Sequence, residues 1–459
     1  MSTGTNPVVE EADDSHDVVF SNQYGLRVVE LNRPAKLNAL NGSMIRKILP
    51  RLVEWEKSDM ANVIVMKGAG RAFCAGGDVA QLATQNQEGP AGQKRSADYF
   101  GLEYKLDHYI ATYRKPYIAF MDGFTMGGGV GLSIHAPFRI ATERSVFAMP
   151  ETTIGFFPDV GASFFLPRMA GSIGTYLALT SERLKGANVF YSGIATHYLH
   201  STSLPSLEAR LAELRFKDYY TIEERLAVIE MTIEEYATGL PHNEPMVLAG
   251  ELRNAIDRCF GQATVPEIIA ALQQEQGPTQ AWAEKTLATL HQRSPTSVHV
   301  ALRQMQIGKT WSIAETFRKE HQVAAKFMQH HDFVEGVTAR LISKEDPKPT
   351  PQWQPASLEA IPPSQDVAGP FFEESDDVPA LQLMNDLDYT QYPYSAFGVP
   401  TENDVRDSVL GVARTRQQIR DDFVAQKKGR QGIGMIVDEI LARKTRVDSF
   451  GKAVWLHEE

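Results

Sequence analysis

The N-terminal half of the chain shows two different spacings of hydrophobic positions. Residues 18–33 alternate apolar and polar side chains, which predicts a β-hairpin. Short apolar runs at 63–66 and 117–121 predict buried strands. Residues 44–57 and 97–113 repeat their apolar positions at helical spacing, which predicts helices between the strands. This alternation of strands and helices favours an α/β fold.

Helical spacing dominates beyond about residue 174. Eight further helices are predicted at 207–216, 221–236, 245–260, 265–274, 279–292, 297–307, 313–329 and 332–342. Pro-rich and acidic stretches then interrupt the pattern, and two more helical runs follow at 402–427 and 435–444. A break of this composition is typical of a linker between two parts of a protein.

The changes in pattern divide the chain into five parts. The prediction is a disordered tail at 1–17, an α/β core at 18–200, a helical part at 201–347, a Pro-rich and acidic linker at 348–378 and a separate helical segment at 379–459.

Composition limits the functions open to the chain. Its 459 residues, 43% of them hydrophobic, are enough for a large core and additional elements. No apolar run approaches the roughly 18 residues that span a membrane, so a soluble protein without membrane partners is expected. The net charge of −11 disfavours a dedicated nucleic-acid surface, although a local basic patch stays possible. The two cysteines are too few for a disulfide framework or a metal cluster.

Two glycine clusters carry the strongest chemical signal. Gly76 and Gly77 follow the strand predicted at 63–66, and Gly127 to Gly131 follow the strand at 117–121. Each cluster alone is typical of a tight turn. In a parallel sheet, however, both clusters would lie at the carboxyl edge, where one N–H group from each can converge on a single oxygen. Glu151 and Asp159 follow in the sequence, a combination that favours chemistry on a carbonyl whose oxygen becomes negative.

Several segments are similar to those of a known family. They are LNRPAKLNALN at 31–41, GRAFCAGGDV at 70–79, the block at 115–161, LTSERLKGANVFYSGIATHYL at 179–199 and HDFVEGVTARLISK at 331–344. Over residues 18–355 the chain resembles the crotonase (enoyl-coenzyme A hydratase/isomerase) superfamily. FAMPETTIGFFPDVGASFFLPR, at 147–168, resembles its 3-hydroxyisobutyryl-coenzyme A hydrolase branch in particular. The resemblance implies a ClpP/crotonase-like α/β fold, with stacked β-sheets flanked by helices and a helical C-terminal half. Residues 379–459 have no counterpart in the shorter members of that branch.

The resemblance also implies roles for individual residues. The oxyanion hole is assigned to the amides of Gly77 and Gly128, and Gly128 is expected to open a helix. Glu151 matches the principal catalytic acid and Asp159 the second acid of the hydrolase branch. Glu103 matches a further carboxylate that contacts substrate. Surface or turn positions are the alternative roles for these three acids.

Coenzyme A is expected as part of the substrate, and no separate cofactor or metal is implied. By resemblance, the loops that hold it contain Lys36, Asn38, Ala39, Ala75 and Gly76. Lys36 is a candidate for a phosphate contact, although an exposed lysine near a turn is more often solvated.

One position departs from the wider superfamily. Hydratases carry a second glutamate where this chain has Gly131. Hydration of a double bond needs an acid and a base placed on both sides of it, whereas hydrolysis needs one activating carboxylate. The departure therefore favours a thioester hydrolase over a hydratase or isomerase, which stays a weaker alternative. Whether Glu151 acts as nucleophile or as general base is open.

A structural role is the second hypothesis. Relatives of the hydrolase branch are components of some mitochondrial ribosomal small subunits, so this subunit is an alternative partner. Docking would suit the cations of the C-terminal segment, which are Arg414, Arg416, Arg420, Lys427, Lys428 and Arg430. The resemblance implies a mitochondrial location, with the cytoplasm as the alternative because no transit peptide is visible in the chain. The oligomeric state stays open.

Overall fold

The computed structural model describes residues 14–456. Most of the predicted disordered tail, residues 1–13, lies outside this range. Its last residues are ordered, contrary to the prediction, because Asp17 is fully buried and bonded to the first helix. Its carboxylate accepts hydrogen bonds from Ser43 Oγ at 2.7 Å and Lys47 Nζ at 2.8 Å.

The strands and helices of the described residues are as follows. The strands are β1 Val18–Gln23, β2 Leu26–Leu31, β3 Val63–Gly68, β4 Ala72–Cys74, β5 Tyr117–Met121, β6 Phe124–Met126, β7 Phe138–Ala141, β8 Val146–Ala148, β9 Leu184–Lys185, β10 His197–Tyr198, β11 Thr445–Val447 and β12 Ala453–Trp455. The helices are α1 Gly42–Lys57, α2 Val79–Asn86, α3 Pro90–Ala111, α4 Gly128–Ile134, α5 Ala162–Phe165, α6 Ile173–Thr180, α7 Ala187–Tyr191, α8 Leu204–Glu213, α9 Ile222–Glu234, α10 Gly250–Phe260, α11 Val265–Gln274, α12 Gln280–Leu290, α13 Pro295–Gly308, α14 Ile313–Gln329, α15 His331–Val337, α16 Gly369–Phe372, α17 Glu402–Gly411, α18 Arg416–Gln426 and α19 Ile433–Lys444.

Two β-sheets form the α/β part of the molecule. The larger has the strand order β1-β2-β3-β5-β7-β10, and its strands are parallel except for the predicted β1–β2 hairpin. The smaller has the order β4-β6-β8-β9, with β4, β6 and β8 parallel. Apolar side chains of β3 and β4, including Ile64, Met66 and Phe73, share one buried cluster with α1. The sheets therefore pack against each other, as the fold prediction requires.

The chain alternates between the two sheets. After β3, β5 and β7 of the large sheet it enters β4, β6 and β8 of the small one. The turn from β5 to β6 contains Gly123, whose φ of +100° disfavours residues with a side chain. A Cβ there would also overlap the carbonyl group of Arg71, so this turn packs closely against the segment that leads into β4.

The helical half agrees with the spacing of its apolar residues. All eight helices predicted between 207 and 342 are present as α8 to α15. Helix α10 begins at Gly250 rather than at residue 245, because Ala249 has an extended backbone. Within residues 14–456, no helix is long and apolar enough to cross a lipid bilayer.

The predicted linker at 348–378 is not a free spacer. Leu358, Ala368 and Phe371 are buried in the largest hydrophobic cluster of the protein, and Phe371 contacts the ring of Phe327 on α14. The described part of the predicted C-terminal segment, residues 379–456, joins the same cluster through side chains such as Val405 and Ile440. The Pro-rich composition indicates irregular backbone, but its scattered apolar side chains are anchored in the core.

The single helix predicted at 402–427 is two helices. Helix α17 ends at Gly411, where Val412 takes an extended conformation. Helix α18 begins after Thr415, whose side chain accepts a hydrogen bond from the amide of Gln418 in a capping box. A glycine followed four residues later by a capping threonine is a stop and a start signal that outweighs the continuous spacing.

Candidate active site

Three parallel strands of the small sheet carry the candidate site at their carboxyl ends. Gly77 follows β4, Gly128 follows β6, and Glu151 follows β8. The carboxyl edge of a parallel sheet is the common position of ligand sites in α/β proteins. The prediction that both glycine clusters share such an edge is therefore correct. The predicted strands at 63–66 and 117–121 are present as β3 and β5, but they do not carry the glycines, because β4 and β6 of the small sheet lie between them and the glycine clusters.

The two glycine loops are in direct contact. A Cβ atom on Gly128 would lie 3.4 Å from the amide nitrogen of Gly77. As predicted, Gly128 is the first residue of a helix, α4. Within residues 14–456, neither amide donates a hydrogen bond to a backbone carbonyl. Two N–H groups from separate loops are thus available to one ligand oxygen, and the helix dipole favours negative charge there.

Glu151 lies beside these loops and is shielded from solvent. Its Oε1 is 3.1 Å from the position that a Cβ on Gly127 would occupy, and the side chain is 5% exposed. Its Oε2 is buried and has no hydrogen-bond partner among the described residues. Burial, followed by the charge of Asp159, raises the pKa of Glu151 well above its ordinary value. The carboxyl group is therefore held as a buried acid with one oxygen free for a ligand.

Asp159 is the second carboxyl group of the site. It is 3% exposed and accepts a hydrogen bond from the hydroxyl of Tyr104 at 2.7 Å. Burial raises the pKa of Asp159 to about 7, and the hydrogen bond from Tyr104 opposes this shift. The next residue, Val160, has a φ of +55°, a strained conformation for a β-branched side chain. Strain of this kind persists only where the surrounding structure supports it.

Two residues that were not predicted as site residues support the Asp159 loop. Glu320, on α14, accepts hydrogen bonds from the amides of Gly161 at 2.8 Å and Ser163 at 2.9 Å. The ring of His135 lies 3.0 Å from the carbonyl oxygen of Val160. Because Glu320 is far from Asp159 in the sequence, no local pattern indicates this contact.

Glu103 and Asp107 project from α3 towards α4, one helical turn apart. A Cβ on Gly128 would overlap Glu103 Oε1, and a Cβ on Gly131 would lie 2.6 Å from Asp107 Oδ2. Glu103 Oε1 and both carboxyl oxygens of Asp107 are buried without partners among the described residues. Burial, followed by neighbouring carboxyl groups, raises the pKa of both residues well above ordinary values.

Asp107 was not predicted as a site residue. Its spacing of four residues from Glu103 on a predicted helix is the only sequence signal that indicates it. The departure at Gly131 also has a structural counterpart, because the space beside this glycine holds the carboxyl group of Asp107. Gly131 is therefore required by the packing of α3 against α4.

The loops predicted to hold coenzyme A form a continuous backbone ridge. The amide of Ala75 donates to the carbonyl of Leu37 at 3.0 Å, and the amide of Leu40 donates to the carbonyl of Gly76 at 2.8 Å. These bonds hold residues 36–40, including Ala39, next to the glycine loop that contains Gly77.

Two side chains of that ridge have local partners. Lys36 forms an ion pair with Asp78 at 3.1 Å, so its charge is partly neutralised. The side-chain amide of Asn38 is buried and donates to the carbonyls of Ala69 and Ala72 at 2.9 and 2.8 Å. The side chain of Asn38 thus stabilises the loop, and only its backbone is available for a ligand.

Taken together, Glu103, Asp107, Glu151, Asp159 and Glu320 form a buried carboxyl cluster. Their pKa values are all raised, and no cation is among the causes of these shifts. Within the described part of the chain, no group of His, Cys, Asp or Glu side chains is arranged to hold a metal ion. The arrangement combines two backbone N–H groups that are available to a ligand oxygen with carboxyl groups whose pKa values are raised, which suits acyl transfer.

Known proteins share both the sequence and the fold. A relative from Neurospora crassa, named small ribosomal subunit protein mS47, is 62% identical over 94% of this chain and 86% of its own length. The mitochondrial 3-hydroxyisobutyryl-CoA hydrolase of Gallus gallus is 43% identical over 77% of this chain and 88% of its own. A crystal structure of a carnitinyl-CoA dehydratase from Mycobacterium thermoresistibile superposes with a TM-score of 0.68 at 32% identity, covering 81% of this chain and 99% of that one.

A family model described as enoyl-CoA hydratase/isomerase matches residues 26–371. This match covers the small sheet, the large sheet from β2 onward, and the three strand ends that carry the site. The predicted family and fold class are therefore confirmed, and the chain belongs to the enoyl-CoA hydratase/isomerase, or crotonase, family.

Proposed function

We propose that the protein hydrolyses the thioester of a short 3-hydroxyacyl-coenzyme A, with 3-hydroxyisobutyryl-coenzyme A as the substrate. The observation that carries the proposal is the contact between the Gly77 and Gly128 loops beside the buried carboxyl group of Glu151. Several relatives named as mitochondrial 3-hydroxyisobutyryl-CoA hydrolases support the acyl group. They also support a mitochondrial location.

In the proposed reaction, the thioester oxygen lies between the amides of Gly77 and Gly128. When a nucleophile adds to the carbonyl carbon, negative charge develops on this oxygen and both N–H groups stabilise it. Each such donor contributes about 2.7–4 kcal/mol to transition-state stabilisation in comparable enzymes. The carbon–sulfur bond then breaks, the thiolate of coenzyme A leaves with a proton, and the acyl group is released as a carboxylic acid.

Glu151 activates this step by one of two routes. As a nucleophile, its carboxylate forms a mixed anhydride that water then hydrolyses; as a general base, it removes a proton from the attacking water. Both routes require the ionised form, so turnover is expected to rise with pH because burial raises the pKa of Glu151. Single turnover in ¹⁸O-labelled water separates the routes, since only anhydride formation leaves an oxygen of the protein in the product.

Asp159 and Glu103 are proposed to orient the substrate. Both carboxyl groups are buried and close enough for their charges to raise the pKa of Glu151, and Glu103 Oε1 has no partner in residues 14–456. A 3-hydroxyl group would satisfy one of these oxygens, whereas an acyl chain without it would leave the oxygen unpaired. Discrimination between 3-hydroxyisobutyryl and 3-hydroxypropionyl groups is expected to be weak, because one methyl group contributes only about 1–3 kcal/mol.

The test is thiol release from a panel of short acyl-coenzyme A esters by Glu151→Gln. The variant keeps the size of the side chain but provides no base or nucleophile, so kcat is expected to fall by about 10²–10⁴-fold. Glu54→Gln, at an exposed position of α1, is the matched control and should retain full activity. Thermal unfolding verifies that both variants fold, and undiminished turnover by Glu151→Gln would refute the proposed function.

A role in the mitochondrial ribosomal small subunit is the second candidate. It is supported by the relative named mS47, because its alignment extends over more of this chain than the alignments with the hydrolases. The predicted docking cations give little support. Arg414 and Arg420 form ion pairs with acids of their own segment, and Lys427 and Arg430 donate to backbone carbonyls of the same segment. These residues therefore stabilise the C-terminal segment.

Co-sedimentation with mitochondrial small subunits at high salt tests this candidate. If Glu151→Gln sediments like the wild type, ribosome association and catalysis are independent. Absence of the wild-type protein from the subunit fraction would exclude the structural role and leave the hydrolase proposal intact.

A further inference from the structure

A cavity lies between the crotonase core and the C-terminal segment, and it is separate from the candidate active site. Its volume is about 260 Å³. The core contributes residues of α4, α6 and the loop before α10, and the C-terminal segment contributes residues 392–402 and α19. Neither glycine loop nor any residue of the carboxyl cluster lines it.

The wall of the cavity is largely apolar. Its apolar side chains include Ile134, Ile173, Leu248, Val399, Ile436 and Ile440. Benzene, with six heavy atoms, fills an apolar protein cavity of about 150 Å³. At the same ratio of heavy atoms to volume, a cavity of about 260 Å³ holds a molecule of about ten heavy atoms.

The wall of the cavity contains more positively than negatively charged side chains. Four arginines and two glutamates line the cavity, and both glutamates pair with arginines. Glu402 and Glu439 accept hydrogen bonds from Arg443 at 2.8 and 3.0 Å. Arg139 and Arg168, in contrast, have no carboxylate partner in the described part of the chain. Their guanidinium groups donate to backbone carbonyl oxygens. These oxygens carry only a partial negative charge, so they do not neutralise the guanidinium groups.

The two unbalanced arginines lie beside the same aromatic cluster. Arg168 stacks on Phe164 with 3.8 Å between its guanidinium carbon and the ring centroid. Arg139 donates to the hydroxyl of Tyr392 at 3.0 Å. Tyr389 contacts both rings, at 5.3 Å from Phe164 and 6.3 Å from Tyr392. Positive charge is thus concentrated beside these rings, while Glu402 and Glu439 neutralise Arg443.

We propose that this cavity binds a monocarboxylate with an unbranched apolar chain of about eight carbons. The carboxylate compensates the charge of Arg139 and Arg168 beside Tyr392, and the chain fills the apolar space towards Ile436 and Ile440. A buried cation without a counter-charge gains most from an anion that brings its own hydrogen-bond acceptors. An apolar chain of this length would make van der Waals contacts with the apolar side chains of the wall.

The test is calorimetric titration of the full chain with octanoate, with coenzyme A present at saturation to occupy the proposed active site. Octanoate is expected to bind saturably with one site per chain. Octan-1-ol, which has the same chain and no charge, is expected to bind about tenfold more weakly, the effect of losing one hydrogen bond to a charged group.

Two matched pairs of variants locate the binding. Ile436→Trp fills the cavity, whereas Met435→Trp places the same side chain on the exposed face of α19, where Met435 is 50% exposed. The second pair lies on the loop before α10, where Met246→Trp fills the cavity and Val247→Trp places the side chain in solvent. This pair provides the test if Ile436→Trp does not fold. Loss of binding by more than tenfold is expected in the filling variants only. Equal affinity for octanoate and octan-1-ol, no saturable binding, or equal binding within the folded pairs would overturn the proposal.

Discussion

Two regions of the molecule bury ionisable groups, but only one of them pairs these groups with opposite charges. The carboxyl cluster of the candidate active site gathers five acids without a cation, and all their pKa values are raised. The region around Glu402 joins this residue to Arg443 at 2.8 Å, Lys444 at 3.2 Å and Arg253 at 3.5 Å. Burial alone would raise the pKa of Glu402, but these cations lower it below its ordinary value.

The comparison shows that the partners of a buried acid, rather than its burial, indicate its role. At Glu402, opposite charges compensate desolvation, and the ionised form joins α17 to α10 and α19. In the carboxyl cluster no such compensation is present, so the acids hold protons that a reaction can use. Removing charge should therefore weaken one region and strengthen the other.

The largest expected effect comes from breaking the paired region. Glu402→Ala leaves Arg443 and Arg253, both nearly inaccessible, without their shared partner. The free energy of unfolding is expected to fall by about 3–5 kcal/mol, as when one member of a buried ion pair is removed. Urea denaturation measures this change. Asp407→Ala removes an exposed partner of Arg406 on the same helix, α17, and should change stability by less than about 1 kcal/mol.

The stability of the two regions should also depend on pH in opposite ways. The pKa of Asp159 is raised from 3.8 to about 7, so the native state keeps a proton that the unfolded state has lost over this range. Stability contributed by this group is complete below its ordinary pKa and is lost as pH rises towards 7, by about 1.4 kcal/mol per pH unit. Asp159→Asn should remove this slope.

The contribution of Glu402 to stability changes with pH in the opposite direction, so this residue serves as the reference for the pH experiment. Its lowered pKa means that its contribution is present above the ordinary value and is lost only as pH falls through the folded-state value. Denaturation curves at several pH values between 4 and 7 compare wild type, Asp159→Asn and Glu402→Gln. Parallel curves for wild type and Asp159→Asn would contradict the raised pKa.

The smallest effect is expected at Asp107. Both of its carboxyl oxygens are buried without partners in residues 14–456, and leucine has the same branching at Cγ. Asp107→Leu should raise the free energy of unfolding at pH 8 by about 1–3 kcal/mol, the cost of an unsatisfied buried polar group. Asp122→Leu is the contrast, because Asp122 accepts hydrogen bonds from Thr142 and Arg144 and its loss should destabilise. A destabilised Asp107→Leu would indicate that Asp107 has a polar partner.

Local signals were sufficient where neighbours in the sequence decide the structure. Apolar spacing located the helices of the C-terminal half, and the glycines with Glu151 and Asp159 located the site. Local signals failed at the segment 348–378, where composition indicates irregular backbone but carries no information on whether Phe371 finds a core.

Spacing and short motifs in the sequence were sufficient to predict the family, the β1–β2 hairpin, the buried strands β3 and β5, the helices α8 to α15 and the residues of the candidate site. Tertiary structure decided which sheet carries the site, that Glu320 supports the loop of Asp159, and that Asp107 fills the space beside Gly131. The physical reason is that a raised pKa, an available amide and an unbalanced arginine are properties of what surrounds a group. Those surroundings come from segments more than a hundred residues apart, such as Gly161 and Glu320.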